Sequence, residues 1–181
     1  MQFVSDPAQA FAIVDSTENA FAEFCDEVYP RLVGALGLLA GRSAAEDLAQ
    51  DVLVRLWQHW PKVRGHSNPE AWVFKVGHNL AVSHLRRRAV EFRARLRSGD
   101  SELDSTPSVE THLQLTAALK ALAPRQRSAV VLRYYADLSI DETAAVMGCA
   151  PGTVKALTHS ALAHLHGTYG NDLNEGDPAD A

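Results

Sequence analysis

Long apolar runs are missing from this chain: its hydrophobic stretches last only a few residues, and a membrane-spanning helix needs about 20. Membrane insertion is therefore not expected. Cysteine is nearly absent. Cys25 and Cys149 are far apart and neither sits in a C-x-x-C or C-x-x-H pair, which argues against a disulfide framework and fits a reducing compartment. Glycine (11), proline (8) and aromatic residues (7%) are all sparse, so collagen-like and all-β readings are poor. The opening MQFVSDPAQAFAIVD lacks a basic n-region and a long apolar h-region, which argues against a secretory signal; a cytoplasmic protein is expected. Eight histidines are present, but His159, His164 and His166 do not share one helical face and no cysteine or acid stands at zinc-finger spacing. No metal or cofactor is expected.

What remains is core material and charge. With 46% hydrophobic residues in 181, the chain can fill one medium domain or two small ones, and it reads as mostly helical. Its net charge of −5 argues at first against nucleic-acid binding, but the charge is segregated. Met1 to Val54 holds two basic and nine acidic residues, whereas Arg55 to Arg97 holds ten basic and two acidic ones. Ser98 to His112 has four acids and no base, Leu113 to Tyr169 is mildly basic, and Gly170 to Ala181 carries four more acids.

The stretch SGDSELDSTPSVE combines turn formers, acids and a proline, the composition of a linker. The expected fold is all-α: two small helical domains joined by a flexible acidic linker, the second containing a C-terminal helix-turn-helix. Residues 1–17 read as an N-terminal extension, 18–97 as the first domain, 98–112 as the linker, 113–169 as the second domain and 170–181 as an acidic tail. Helix starts are expected at two S-x-x-E capping boxes, Ser43 to Glu46 and Ser139 to Glu142, and at Asn68-Pro69, an N-cap residue before a first-turn proline. Gly148 is placed to end one helix in a left-handed conformation, and Pro151 to open the next.

Projected as a helix, Ala44 to Trp60 places Leu48, Val52, Leu53, Leu56 and Trp57 on one arc, the expected core face. Asp47, Gln50, Asp51, Val54 and Gln58 gather on the opposite arc. Such a stripe is ordinarily a solvated face. It also suits docking of a basic partner, with Val54 an apolar contact inside a polar ring. No nucleophile, ligand set or phosphate cradle stands near these carboxylates, so an enzyme is not expected.

The segment NPEAWVFKVGHNLAVSHLRRRAVEFRARLR centres the basic block. Trp72, Val73, Val76 and Leu80 form an inward stripe, while Lys75, Asn79, Val82 and Arg86 line another. With Arg87, Arg88, Arg93, Arg95 and Arg97 added, six arginines face a single acid, Glu91, which exceeds what a helix C-terminus asks of its cations. A phosphate-binding surface is expected, interleaved with Trp57, Trp60, Trp72 and Phe74. Asn79 either reads a base or packs within the helix.

In LSIDETAAVMGCAPGTVKALTHSALAHL, a capped helix, a glycine turn and a second helix have helix-turn-helix spacing, though a plain helical hairpin shares it. Ile140, Ala144 and Ala145 are expected to pack against Val154. The outward residues near the second helix's start are Thr153, Lys155, Ala156 and His159, a thin set of DNA contacts.

An acidic partner helix, a basic aromatic helix, a linker and a terminal helix-turn-helix, in that order, resemble bacterial sigma factors of the extracytoplasmic-function (ECF) group. AAEDLAQDVLVRLWQHW is similar to the family's core-polymerase-binding helix, NPEAWVFKVGHNLAVSHLRRR to its promoter-melting and minus-ten-reading segment, and LKALAPRQRSAVVLRYYADLSIDETAAVMGCAPGTVK to its minus-thirty-five domain. The resemblance covers most of Phe21 to Tyr169. It implies a transcription initiation factor whose partners are core RNA polymerase (the β′ clamp region and β) and promoter DNA, with an anti-sigma protein as a further candidate. It implies that Asp47, Gln50 and Asp51, with Val54 and Gln58, meet the polymerase. His78-Asn79, matching the family's R/H-N pair, would lie where a flipped minus-ten base is read, in a surface formed with Trp72, Lys75 and Val82. Arg86, Arg87 and Arg88 would hold upstream duplex phosphate. Thr153, Lys155, Ala156 and His159 would face the minus-thirty-five element. The family's arginines after the T-V-K triplet are absent here, where Ala156, Leu157, Thr158 and His159 follow, and Ala150 replaces the usual serine cap; weak or unusual minus-thirty-five binding is expected. An operator-binding regulator that acts without polymerase, or a sigma-like interaction module, remains the alternative.

Overall fold

The computed structural model describes residues 7–98 and 110–169, with side-chain environments for 18–95 and 116–167. Among the described residues there are seven α-helices and no strand. They are α1 (Pro7–Ala40), α2 (Arg42–Val63), α3 (Pro69–Ser98), α4 (Glu110–Ala121), α5 (Pro124–Val130), α6 (Ile140–Met147) and α7 (Pro151–Tyr169), and α5 continues into a single π turn over Val131–Tyr135. The tail 170–181 and most of the expected linker, 99–109, lie outside the described residues, while α4 takes in 110–112. α1 begins at Pro7, inside the stretch read as an extension.

Helices α1, α2 and α3 pack pairwise around Val28, Leu32, Leu36, Val52, Leu56, Val73 and Phe74, all essentially without solvent contact. Only Gly41 separates α1 from α2, and its φ of 101° is one that a residue with a Cβ rarely adopts. That tight turn overrides the capping box expected at Ser43. The N-cap of α2 is Gly41, no side chain caps it, and Ser43 already lies inside the helix.

The tryptophans of α2 exchange the roles expected of them. Trp60 is 5% exposed and packs its ring near Phe21 and Phe24, whereas Trp57 is 47% exposed and meets Phe21 edge-on, with ring centroids 4.8 Å apart. Phe74 is buried too, beneath the Arg31 guanidinium. Trp60 and Phe74 are therefore core, not part of an aromatic surface interleaved with the arginines.

The second group is built on α5, α6 and α7, with Ala129, Leu132, Leu138, Ala144, Val154 and Ala161 inside. Both local signals of the helix-turn-helix are realised. Ser139 accepts from the Glu142 N–H while the Glu142 carboxylate accepts from the Ser139 N–H, and Gly148 ends α6 in the left-handed region at φ 61°, ψ 46°. Ala144 and Val154 are buried where the helices cross, but Ala145 is exposed and turns instead toward Trp72 and Lys75 of α3.

The two groups do not stand apart. Most of their buried apolar residues form one contiguous cluster, and α3 lies against α6 and α1 against the π turn. Tyr135 reaches α1 at Gly34, where an added Cβ would come within 1.8 Å of the tyrosine oxygen. Arg31 of α1 pairs with Glu70 of α3 at 2.8 Å and donates its other terminal nitrogen to the Ala136 carbonyl, also at 2.8 Å.

Candidate nucleic-acid interface

α2 presents its polar stripe as drawn from the sequence: Asp47, Gln50, Asp51, Val54 and Gln58 are all exposed, Val54 at 58%. The opposite arc, Ala45, Leu48, Ala49, Val52 and Leu56, is buried against α1 and α3, which fixes the helix rotation. Exposed Trp57 adjoins Val54 and extends the apolar part of this surface beyond what the stripe contained.

α3 starts cleanly because Asn68 accepts the Ala71 N–H at 3.0 Å and Pro69 takes the first helical position. Val73, Phe74, Leu80 and Ala81 are buried, which leaves Lys75 and Asn79 exposed on the other side. Trp72 is half-buried, its ring 5.7 Å from that of His59, and Val82 is half-buried as well. Past Leu85 the helix leaves the core. Arg86, Arg87, Arg88, Arg93 and Arg95 are all exposed, together with Val90 and Phe92 at 64% and 56%. These cations surround the exposed end of α3, with Glu91 among them, an arrangement suited to phosphate.

His78 differs from its neighbours. Its Nε2 lies 3.2 Å from the Ser128 hydroxyl of α5 and its Nδ1 is buried without a partner, so this residue faces the second helical group. Burial pulls the imidazole below its usual pKa, by more than the neighbouring Asn79 side chain raises it. Asn79 itself remains open to solvent.

On α7, Lys155, Ala156 and His159 are exposed and Thr153 is half-buried. The first turn is closed by the Ala150 carbonyl, which accepts from the Thr153 and Val154 N–H groups without a side-chain cap. Leu157 is half-buried and Ser160 is bonded to Gln126 of α5, so the helix offers one formal cation, Lys155, near its start. Sequence reasoning missed Arg31 and the Asn68–Glu142 bond. Arg31 carried a faint signal, as one of two bases among the first 54 residues. No group of three or more histidine, cysteine or acidic side chains suited to a metal occurs among the described residues. No described helix is long and apolar enough to cross a membrane.

Comparison with known proteins adds family to geometry. Residues 25–90 match the family described as Sigma-70 region 2, and residues 112–165 match Sigma-70, region 4. The RNA polymerase sigma-E factor of Streptomyces antibioticus is 36% identical over 130 residues, which span 71% of this chain and 72% of that one. The chain belongs to the ECF group of the sigma-70 family. The ECF RNA polymerase sigma factor EcfG of Rhodopseudomonas palustris is 33% identical over 134 residues, 72% of this chain and 74% of that one. Among solved structures, the sigma factor RpoE of Bartonella quintana, in complex with the anti-sigma factor NepR, matches with a TM-score of 0.71 at 28% identity, covering 87% of this chain and 98% of that one. CnrH, solved with the cytosolic domain of CnrY, shares the fold at 23% identity and a TM-score of 0.60, covering 86% and 90%. Family membership thus rests on both halves of this sigma factor, in the order that the sequence presents them.

Proposed function

We propose that this chain is an alternative sigma factor that binds core RNA polymerase and directs promoter recognition, DNA opening and transcription initiation. It acts in the cytoplasm as a polymerase subunit without catalytic chemistry of its own. In this reading residues 18–97 form the region-2 domain, 113–169 the region-4 domain, 98–112 the linker, and 1–17 and 170–181 the flanking extension and tail. Asp47, Gln50, Asp51, Val54 and Gln58 dock on the β′ clamp region. Their Coulombic attraction to a basic partner steers encounter, and Val54 contributes apolar area at the centre of the contact. Lys75, His78, Asn79 and Val82, beside Trp72, receive the unpaired non-template strand, whose flipped base needs polar partners to offset a few kcal/mol of lost stacking. Arg86, Arg87 and Arg88 hold upstream phosphates and carry little sequence information. Thr153, Lys155, Ala156 and His159 approach the minus-thirty-five element with few strong donors, so this contact is weak. An anti-sigma protein is a partner of this chain by analogy with its relatives.

The observation that carries the reading is the division of the first bundle's surface. An exposed acidic stripe on α2 and an exposed basic run on α3 are fixed on different helices by one buried core. The test is transcription by purified chain plus core polymerase on a candidate promoter, with Asp47→Lys/Asp51→Lys and Asn79→Ala in parallel. The charge reversal is expected to weaken polymerase binding. Asn79→Ala is expected to leave that binding intact and to impair promoter opening. Tight binding to duplex operators combined with no core-dependent initiation at any promoter would favour a simple regulator and sink this reading.

A further inference from the structure

At the seam between the two helical groups, one histidine of the proposed strand-binding surface is turned toward the second group instead. His78 projects from α3 toward α5, its Nε2 3.2 Å from Ser128 Oγ, and its buried Nδ1 has no hydrogen-bond partner. Together with Ser128 it lines a cavity of about 560 Å³ between the groups. The charged residues on that cavity are all cations: Arg86 comes from α3 itself, and Arg125 and Arg127 come from α5. α1 and α6 contribute Leu39 and Met147, so among the described residues no carboxylate lines this cavity. Arg127 is held in place by the carbonyls of Leu119, Lys120 and Leu122, which prevents it from swinging clear.

We propose that His78 and Ser128 form a proton-gated latch that holds the second helical group over α3 when the imidazole is neutral and releases it when the imidazole is charged. A neutral ring satisfies the contact with one hydrogen bond to the hydroxyl. A protonated ring at the same place must hold its charge away from water, in a cavity whose charged lining is cationic. Opening the seam returns the imidazolium to solvent. Two further bonds across the seam, Arg31 to the Ala136 carbonyl and Asn68 to Glu142, involve groups that keep their charge above about pH 5; a second histidine, His66, lines the pocket beside Asn68 and Glu142, and the His78→Gln variant separates the two.

The sign follows from the lowered proton affinity of the closed form. Above an ordinary imidazole pKa of 6.5 both forms are neutral and closure is at its strongest. As pH falls below 6.5 the open form takes up the proton first. The open-to-closed ratio then rises by up to about tenfold per pH unit until the closed form's own lower pKa is reached. The consequence for DNA rests on the proposed function. His78, Val82 and Arg86 line this cavity, and Trp72 and Lys75 line a second pocket against α6, so the second group covers part of the surface proposed to receive the DNA strand.

The latch can be tested without DNA or polymerase, so its failure is distinct from failure of the functional reading. Small-angle scattering of the full chain is measured from pH 8 to pH 5.5, with far-UV circular dichroism on the same samples. The wild type is expected to expand as pH falls through 6.5 with helix content unchanged. His78→Gln keeps a neutral hydrogen-bonding group and should stay compact throughout. Ser128→Asp supplies the missing counter-ion and should hold the chain closed in acid, the reverse of the wild-type response. The proposal is overturned by a wild type that does not expand, by equal expansion in His78→Gln, by loss of helix accompanying the expansion, or by a Ser128→Asp profile like that of the wild type. If Ser128→Asp fails to fold, the comparison of wild type with His78→Gln decides.

Discussion

Asn68 and Glu142 lie 74 residues apart, each caps a helix, and each is bonded to the other. The Asn68 carbonyl oxygen accepts the Ala71 N–H at the start of α3, and its amide donates to the carboxylate that closes the capping box of α6. One asparagine therefore couples the start of the basic helix to the start of the helix-turn-helix. Hydrogen bonds from Ser139, and then from Asn68, keep the Glu142 carboxyl below its usual pKa. Its contribution to the fold is present above 4.5 and is lost as pH falls through the lowered value.

Two substitutions at Asn68 separate its functions. Asn68→Ala removes the cap and the bridging amide and should cost about 1 kcal/mol in denaturant unfolding. Asn68→Asp retains a capping oxygen but sets a carboxylate against Glu142. Its unfolding free energy should stay closer to that of the wild type while scattering shows a more open chain. Equal stability loss and equal compactness in the two variants would mean that the bond to Glu142 contributes nothing to closure.

The tryptophans of α2 give a sharp stability contrast. Trp60 is 5% exposed among Phe21 and Phe24, so Trp60→Ala should cost about 3–5 kcal/mol, while Trp57, 47% exposed, should lose far less on truncation. Thermal and denaturant unfolding check this directly. A larger loss at Trp57 than at Trp60 would contradict the packing of α1 on α2.

This contrast shows why some features were legible in the sequence and others were not. The polar stripe of α2, the cap at Asn68, the box at Ser139 and the turn at Gly148 are decided within one or two helical turns, where residue type and the 3.6 period suffice. Trp57 and Trp60 both lie near the border of the apolar arc, and the placement of Phe21 and Phe24 on another helix chooses between them. Ser43 matched a cap pattern, but the one-residue turn at Gly41 had already started the helix. The seam was least legible, because Arg31 and Ala136 are 105 residues apart and neither carries a local pattern that names the other.

Cys25 is half-buried, and burial, aided by the charge of Asp26, raises its thiol to about 11. In a Cys149→Ser background the remaining thiol should react slowly with a disulfide reagent at pH 8. Its rate should climb close to tenfold per pH unit until about pH 11, because the thiolate is the attacking species. Rapid labelling at pH 8 with no such rise would show that the α1 surface opens around this residue.

The arginines beyond Leu85 make a prediction about salt. Arg86, Arg87 and Arg88 are exposed on a helix that has left the core, so replacing them with alanine should leave unfolding almost unchanged. If they hold duplex phosphate, each arginine replaced lowers the slope of log affinity against log salt by about 0.9, and replacing all three lowers it by about 2.7. The measurement is promoter binding by the complex with core polymerase over a range of salt concentrations. Asn79→Ala should leave the slope unaltered, since a base contact releases no counterions, while lowering the fraction of opened complexes. An unchanged slope in the triple-alanine variant would move phosphate binding elsewhere on the basic block. A slope altered by Asn79→Ala would mean that this position acts through the backbone and not through a base.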